Sequence, residues 1–252
     1  MEEKKILLDG ERLDETGFGQ LKLIQKPEEF CYGVDAVILA DMASKWAKKS
    51  TRTAVDLGTG TGIIPLVLSH KTDIPNLIGV EVQQNSYGRA LRNVEVNHLE
   101  GRMSFIHGDV KDFRTGWGKE LAGTVDLVTS NPPYTAGSSG LTCANQAKMI
   151  ARHETTASLE DFMACAAWLL KAKGDFFMVH RPSRIVDICC LGRKYGLEVK
   201  ELQFVSPNVE AKANILLVHM VKGGGPETKM LDPLYVYDLE GNYTAQLKEA
   251  YK

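Results

Sequence analysis

The chain has 252 residues, 44% hydrophobic and 25% charged, with a formal net charge of −2. That length holds one large domain, or one domain with an appendage, around a substantial core, and the near-neutral balance excludes a global basic field, so a nucleic-acid ligand needs a local basic patch. Five cysteines in odd number, with no C-x-x-C pair, argue against a disulfide framework or a cysteine zinc site. No apolar run reaches the ~18–20 residues of a membrane span.

The first fifty residues read as an N-terminal extension. Met1 to Lys5 lack the apolar segment of a secretion signal, and a reduced cytoplasmic setting fits the cysteine usage. Residues 6–8 and 21–24 are short strand candidates around a turn-rich segment from Asp14 to Gly19. Val34 to Trp46 has helical periodicity, with Val34, Val37, Ile38, Met42 and Trp46 on one side and Asp35 suited to the helix start.

Strand–helix alternation begins at Thr53. Strands are expected at 53–57, 77–81, 103–107, 125–130 and 175–180, and helices at 62–70, 83–97, 159–171 and 184–195. Ser158 and Asp161 resemble a capping box, and Gly196 ends the last helix. Cys165, Cys189 and Cys190 fall in apolar helical patterns as small core hydrophobes. Residues 197–205 and 214–221 form two final strands with no room for a helix between them, hence an antiparallel pair. The pattern predicts an α/β fold with a doubly wound, mostly parallel sheet over residues 51–222, with ligands at the strands' carboxyl ends. Residues 223–252 form a tail after the glycine break at 223–225. The small, polar stretch 135–156 is a long loop of the functional kind.

Four strand ends carry the chemistry. After the first comes Asp56-Leu57-Gly58-Thr59-Gly60-Thr61-Gly62, where glycines allow tight turns and close ligand approach and the next helix aims its N–H groups at the same place. A dinucleotide fingerprint fails at its third glycine, where Ile63 stands, and the Gly-Lys-Ser/Thr of a P-loop is missing. Glu81 ends the second strand, 81 − 58 = 23 residues after Gly58, near the ~20-residue offset at which an acid meets ribose hydroxyls. Asp109 and Val110 end the third, where a carboxylate and the next N–H suit an adenine edge. The fourth runs into Asn131-Pro132-Pro133-Tyr134. The two prolines stop sheet pairing and hold the chain extended. Asn131 and Pro132 then offer two oxygens to the two protons of a flat N–H₂ group, and the Tyr134 ring stacks on its plane.

These motifs resemble those of class I S-adenosylmethionine-dependent amino-methyltransferases. The resemblance implies a Rossmann-like seven-stranded sheet with an antiparallel last strand. It also implies S-adenosylmethionine as cofactor, held by Asp56, Gly58, Gly60, Gly62, Glu81, Asp109, Val110 and Asn131. Asn131, Pro132 and Tyr134 would hold the target nitrogen. A finer resemblance extends over nearly the whole chain. Residues 31–36 (Cys-Tyr-Gly-Val-Asp-Ala), Ile150 to Glu154, His180 to Arg184 and Tyr235-Val236-Tyr237 are similar to the bacterial tRNA1(Val) adenine-N6 methyltransferase family. That family methylates the exocyclic amine of adenine 37, beside the anticodon of a tRNA.

The expected reaction is an in-line displacement by an amine whose lone pair Asn131 and Pro132 make available, with Tyr134 stacking worth ~1–3 kcal/mol. It requires no metal. Lys148, Arg152, His153, Arg181 and Arg184 are the candidate contacts to RNA phosphates, and Cys143 is incidental. Three other readings stay open: a methyltransferase of a protein glutamine amide, such as that of a release factor; a non-catalytic RNA-binding module; and a nicotinamide oxidoreductase. The first usually carries a separate N-terminal helical domain, and only about fifty residues precede Thr53 here. Intact Asn131–Tyr134 speaks against the second and the failed glycine fingerprint against the third. The oligomeric state is open.

Overall fold

The structure, a computed structural model, describes residues 6–28, 31–133 and 157–252. A nine-stranded sheet carries the molecule. Its parallel part is β3 (Thr53–Leu57), β4 (Asn76–Glu81), β5 (Met103–His107), β6 (Val125–Ser130) and β7 (Leu170–His180). Strands β8 (Leu197–Ser206) and β9 (Ile215–Lys222) follow, and two-residue strands β10 (Lys229–Met230) and β11 (Leu234–Tyr235) both pair with β8. The spatial order is β10-β8-β9-β7-β6-β3-β4-β5. Only β9 runs against its neighbours β7 and β8, so β8 points the same way as the parallel set. The seven long strands are thus the expected mostly parallel sheet with an antiparallel last member.

The central strands are apolar without alternation because both faces are covered; β6 is buried at every position. On one face lie α1 (Val34–Ser44), α2 (Ile63–Lys71), α3 (Gln84–Asn97) and α6 (Ala245–Ala250), packed through Val37, Leu66, Val94 and Leu247. On the other lie α4 (Leu159–Leu169) and α5 (Ile185–Lys194), packed through Phe162, Cys165 and Ile188 against Val55, Val128 and Phe176. Among the described residues no helix is long and apolar enough to cross a membrane, and no cluster of His, Cys, Asp or Glu could hold a metal ion.

Several elements differ from the sequence pattern. Residues 6–8 are not a strand. Gly10, at φ +79°, turns the chain there, and Glu11 closes the turn on Leu8 through backbone and side chain. The strand lies later, as β1 (Arg12–Glu15), which pairs with β2 (Lys22–Gln25). Helix α1 is buried from Ala36 to Ala43 rather than along one side, because α2, α6 and strands β6 and β7 all pack on it. Helix α4 stops at Leu169 and β7 follows without a loop. Val125 pairs with Leu170 and Leu127 with Asp175, so the intervening residues of β7 bulge, Lys173 at φ +63°. Cys165 is buried as expected, but Cys189 is half-buried and Cys190 exposed. The Ser158–Asp161 capping box is present in full, and its reciprocal bonds satisfy two N–H groups at the start of α4.

Candidate active site

The sheet register brings the four motifs to one edge. Leu57 at the end of β3 faces Val80 in β4 and Ser130 in β6, and Glu81 faces His107 in β5. The segments that follow therefore leave the sheet side by side. Bonds between neighbours stitch them: Gly58 and Thr59 N–H donate to the Val80 carbonyl at 2.9 and 3.0 Å, Gly108 N–H to the Glu81 carbonyl at 3.0 Å, and Ser130 Oγ to the Leu57 carbonyl at 3.0 Å.

The glycine loop needs its three glycines for separable reasons. Gly58, Gly60 and Gly62 stand at φ +71°, +59° and +87°, where a Cβ is strained. Gly62 also lies under the Phe105 ring, where a Cβ would come within 2.5 Å, whereas a Cβ on Gly60 would meet open space. The loop is therefore wedged on the core at Gly62 and open at Gly60. Glu81 supports it from the next strand. Its carboxylate accepts from Gly60 N–H at 2.8 Å and from Gln83 N–H at 2.7 Å, and the residue is buried.

Asp56 lies beneath the loop. Thr129 Oγ1 donates to its Oδ1 at 2.7 Å, while Oδ2 is buried with no hydrogen-bond partner in ordinary geometry among the described residues. Burial pushes its carboxyl up to about 7, against the lowering influence of the Thr59 and Thr129 hydroxyls and with the Glu81 charge adding to the rise. At the next strand end Asp109 caps a 3₁₀ turn, Val110–Asp112, accepting from Lys111 N–H at 2.9 Å. Trp117 fixes this turn by donating its indole N–H to the Asp109 carbonyl at 2.8 Å and packing where a Gly108 Cβ would stand.

At the end of β6, Asn131 is half-buried, Pro132 buried and Pro133 exposed. Asn131 Nδ2 donates to Asp35 Oδ2, 3.3 Å away at the start of α1. Next to it β7 ends in His180, which accepts from Arg181 N–H at 2.8 Å through Nδ1. Burial, with the charges of Arg184 and Arg181, lowers this imidazole to about 4, so it is neutral at neutral pH. Arg181 Nη1 donates to the Asn214 carbonyl at 3.0 Å, and Arg184 pairs with Asp187. Both arginines stand at the edge that holds Asn131, each already engaged within the chain. Tyr134, Cys143, Lys148, Arg152 and His153 lie outside the described residues.

Sequence reasoning gave Asp35 only a helix start and a place in the 31–36 segment, and assigned no role to Thr129, Ser130, Phe105 or Trp117, which hold this site rather than line it. Gly79 was a signal that could have been read: a glycine inside a buried strand marks a close approach, and a Cβ there would come within 2.4 Å of Phe105.

The chain is similar to proteins named tRNA1(Val) (adenine(37)-N6)-methyltransferase. The one from Aeromonas salmonicida is 27% identical over 76% of each chain. The one from Proteus mirabilis is 24% identical over 98% of this chain and 96% of its own. Among solved structures, a predicted O-methyltransferase from Agrobacterium tumefaciens superposes with a TM-score of 0.68 at 19% identity, covering 86% of this chain and 95% of its own. A second solved structure, M. jannaschii TYW2 in complex with AdoMet, reaches 0.56 at 12% identity over 84% of this chain and 85% of its own. The family model described as methyltransferase small domain matches residues 21–187, from β2 through the start of α5, and the chain belongs to that family.

Proposed function

We propose that this enzyme transfers a methyl group from S-adenosylmethionine to the exocyclic N6 amine of adenine 37 in tRNA1(Val), in the cytoplasm. The observation that carries the substrate is similarity over nearly the whole chain to relatives named for that reaction. S-adenosylmethionine is the cofactor, and the residues at the sheet edge fit it. A glycine-walled loop opens to space at Gly60, Glu81 stands beside it, and Asp109 stands one strand further. Gly58, Gly60 and Gly62 would admit the methionine portion, Glu81 the ribose hydroxyls, and Asp109 with Val110 the adenine. Glu81 already accepts one backbone N–H on each oxygen. Each oxygen keeps a second lone pair for a ribose hydroxyl.

When bound, the cofactor supplies a methyl group made electrophilic by its sulfonium. The chain's own part is to orient the acceptor. Adenine N6 is a weak nucleophile because its lone pair is delocalised into the ring. Asn131 Oδ1 and the Pro132 carbonyl accept its two protons, which favours a pyramidal nitrogen with the lone pair free. Pro132 and Pro133 hold that pair of acceptors rigid, and positioning of this kind accounts for much of the rate. Tyr134, next in sequence, is the aromatic residue that would stack on the base. An adenine in an anticodon loop is unpaired, so the cost of bringing it to such a site is low.

The test offers methyl-labelled cofactor with unmodified tRNA, a release factor and DNA side by side. Label in N6-methyladenine of tRNA is expected. Label in the release factor and none in tRNA would replace this reading by glutamine methylation.

A further inference from the structure

We propose that Asp35 is a positioning residue for methyl transfer: it holds the Asn131 amide in the one orientation that offers Oδ1 to the acceptor amine. The inference rests on the reading of Asn131 as the acceptor clamp and names what sets that clamp.

The contact spans 96 positions of sequence, from the start of α1 to the end of β6, with Asn131 Nδ2 3.3 Å from Asp35 Oδ2. An amide side chain has two faces of opposite character, a donor N–H₂ and an acceptor oxygen, and can flip between them. Methyl transfer needs the oxygen toward the substrate, because the amine brings only protons to that side. An ionised carboxylate accepts and does not donate. Beside it Asn131 is stable with Nδ2 inward, and Oδ1 then faces away from α1. Donation to a negative charge also draws electron density onto Oδ1 and strengthens it as an acceptor.

Asp35 is itself held for this task. Its Oδ1 accepts from Ala36 N–H at 3.0 Å, while its Oδ2 meets Asn131. Gly33 clears the space. Its backbone at φ −108° and ψ 177° is open to any residue, yet a Cβ there would come within 2.7 Å of Asp35 Oδ1. A side chain at position 33 would thus push the Asp35 carboxylate from this place, although the turn itself admits one. The Gly33-x-Asp35 pair is therefore one device, and through it the N-terminal extension completes the acceptor end of the site.

The test compares Asp35→Ala with Asp35→Asn. In Asp35→Asn the new amide keeps its oxygen on Ala36 N–H and turns its N–H₂ toward Asn131, which then favours the flipped orientation, donor against donor at the substrate. The isosteric variant should thus be the worse enzyme. We expect kcat to fall about 10-fold in Asp35→Ala and about 100-fold in Asp35→Asn, with KM for tRNA and cofactor affinity changed less than threefold. In an Asn131→Ala background neither change should lower kcat further. A milder effect for Asn than for Ala, or losses that add to that of Asn131→Ala, would overturn the proposal in favour of a packing role. A second measurement is independent of substrate. The Asn131 side-chain amide resonance, assigned by its loss in Asn131→Ala, should shift in both Asp35 variants, and an unchanged resonance overturns the proposal. A parent chain that methylates no tRNA would instead sink the reading of the substrate while the resonance still decides the role of Asp35.

Discussion

Single residues beneath the glycine loop set two of its properties. Gly60 and Gly62 look equivalent in sequence and are not. An alanine at either meets the strain of positive φ, roughly 1 kcal/mol. At position 62 the Cβ also strikes Phe105, an overpacking cost of about 1–3 kcal/mol more. Gly62→Ala should therefore lower thermal stability clearly more than Gly60→Ala. Gly60→Ala should lose cofactor affinity in calorimetry while its melting temperature moves little, because its Cβ fills the open cradle. Asp56 governs a pH dependence. Its carboxyl is raised from an ordinary 3.8 to about 7, so the folded state binds a proton that the unfolded chain has released. Its favourable contribution is complete below pH 3.8 and is lost as pH climbs to about 7. His180, lowered from 6.5 to about 4, works the other way: its contribution is complete above pH 6.5 and lost as pH falls through 4. Between pH 4 and 6.5 the two oppose each other. Asp56→Asn removes one of them, so urea titrations should show its stability rising with pH over that window and then levelling. The parent should instead decline from pH 6.5 to above 7. Equal profiles would mean that Asp56 is not the group responsible.

At the scale of elements, the continuous apolar runs of β3 and β6 and the unspaced pair β8–β9 were legible because burial on both faces leaves a local pattern. The glycines, Glu81, Asp109 and Asn131 were legible because strand ends in a parallel sheet fall at one edge. What was not legible depended on partners distant in sequence. Helix α1 shows one apolar side in its pattern but is covered all round, a fact that belongs to α2, α6 and β7. The joint from α4 into β7 was hidden because its bulge arises from pairing with β6. Asn93 shows the same limit: in α3 an asparagine reads as solvent-facing, yet it is buried and ties two elements to a third. Its Oδ1 accepts from Ile24 N–H of β2 at 2.7 Å and its Nδ2 donates to the Thr61 carbonyl of the glycine loop at 2.9 Å. Asn93→Ala would leave a buried donor and a buried acceptor unpaired, each costing about 1–3 kcal/mol. A loss of roughly 2–4 kcal/mol in chemical denaturation is expected, together with weaker cofactor binding from a loosened loop. Weaker binding with no loss of stability, or the reverse, would show that Asn93 does not couple the hairpin to the loop.

For the molecule as a whole, the two ends of the chain are part of one core. Phe18 and Leu23 from the first β-hairpin, Val37 and Leu39 from α1, and Leu234, Val236, Leu247 and Ala250 from the last twenty residues all lie in the cluster that covers one face of the sheet. Phe18 stacks on Tyr251 with ring centroids 5.5 Å apart at 10°, and Tyr251 stacks in turn on Tyr243. The segment after the glycine break also pairs β10 and β11 along the outer edge of β8, which would otherwise be left unpaired. Burying Leu234, Val236 and Leu247 contributes about 1.5–3 kcal/mol each, so these three alone approach the 5–15 kcal/mol by which a whole domain is stable. The same face carries α1, whose first turn presents Asp35 to Asn131. Ending the chain after Gly225 should therefore do more than trim a surface tail. The shortened chain is expected to be largely unfolded or aggregated at 37 °C by circular dichroism and sedimentation. The milder Leu247→Ala, which makes a cavity worth about 2–5 kcal/mol, should lower the melting temperature and raise amide exchange in α1 while leaving exchange in α5, on the opposite face, close to that of the parent. If the shortened chain instead keeps the parent's melting temperature and cofactor affinity, the tail is an appendage and the single shared core is wrong.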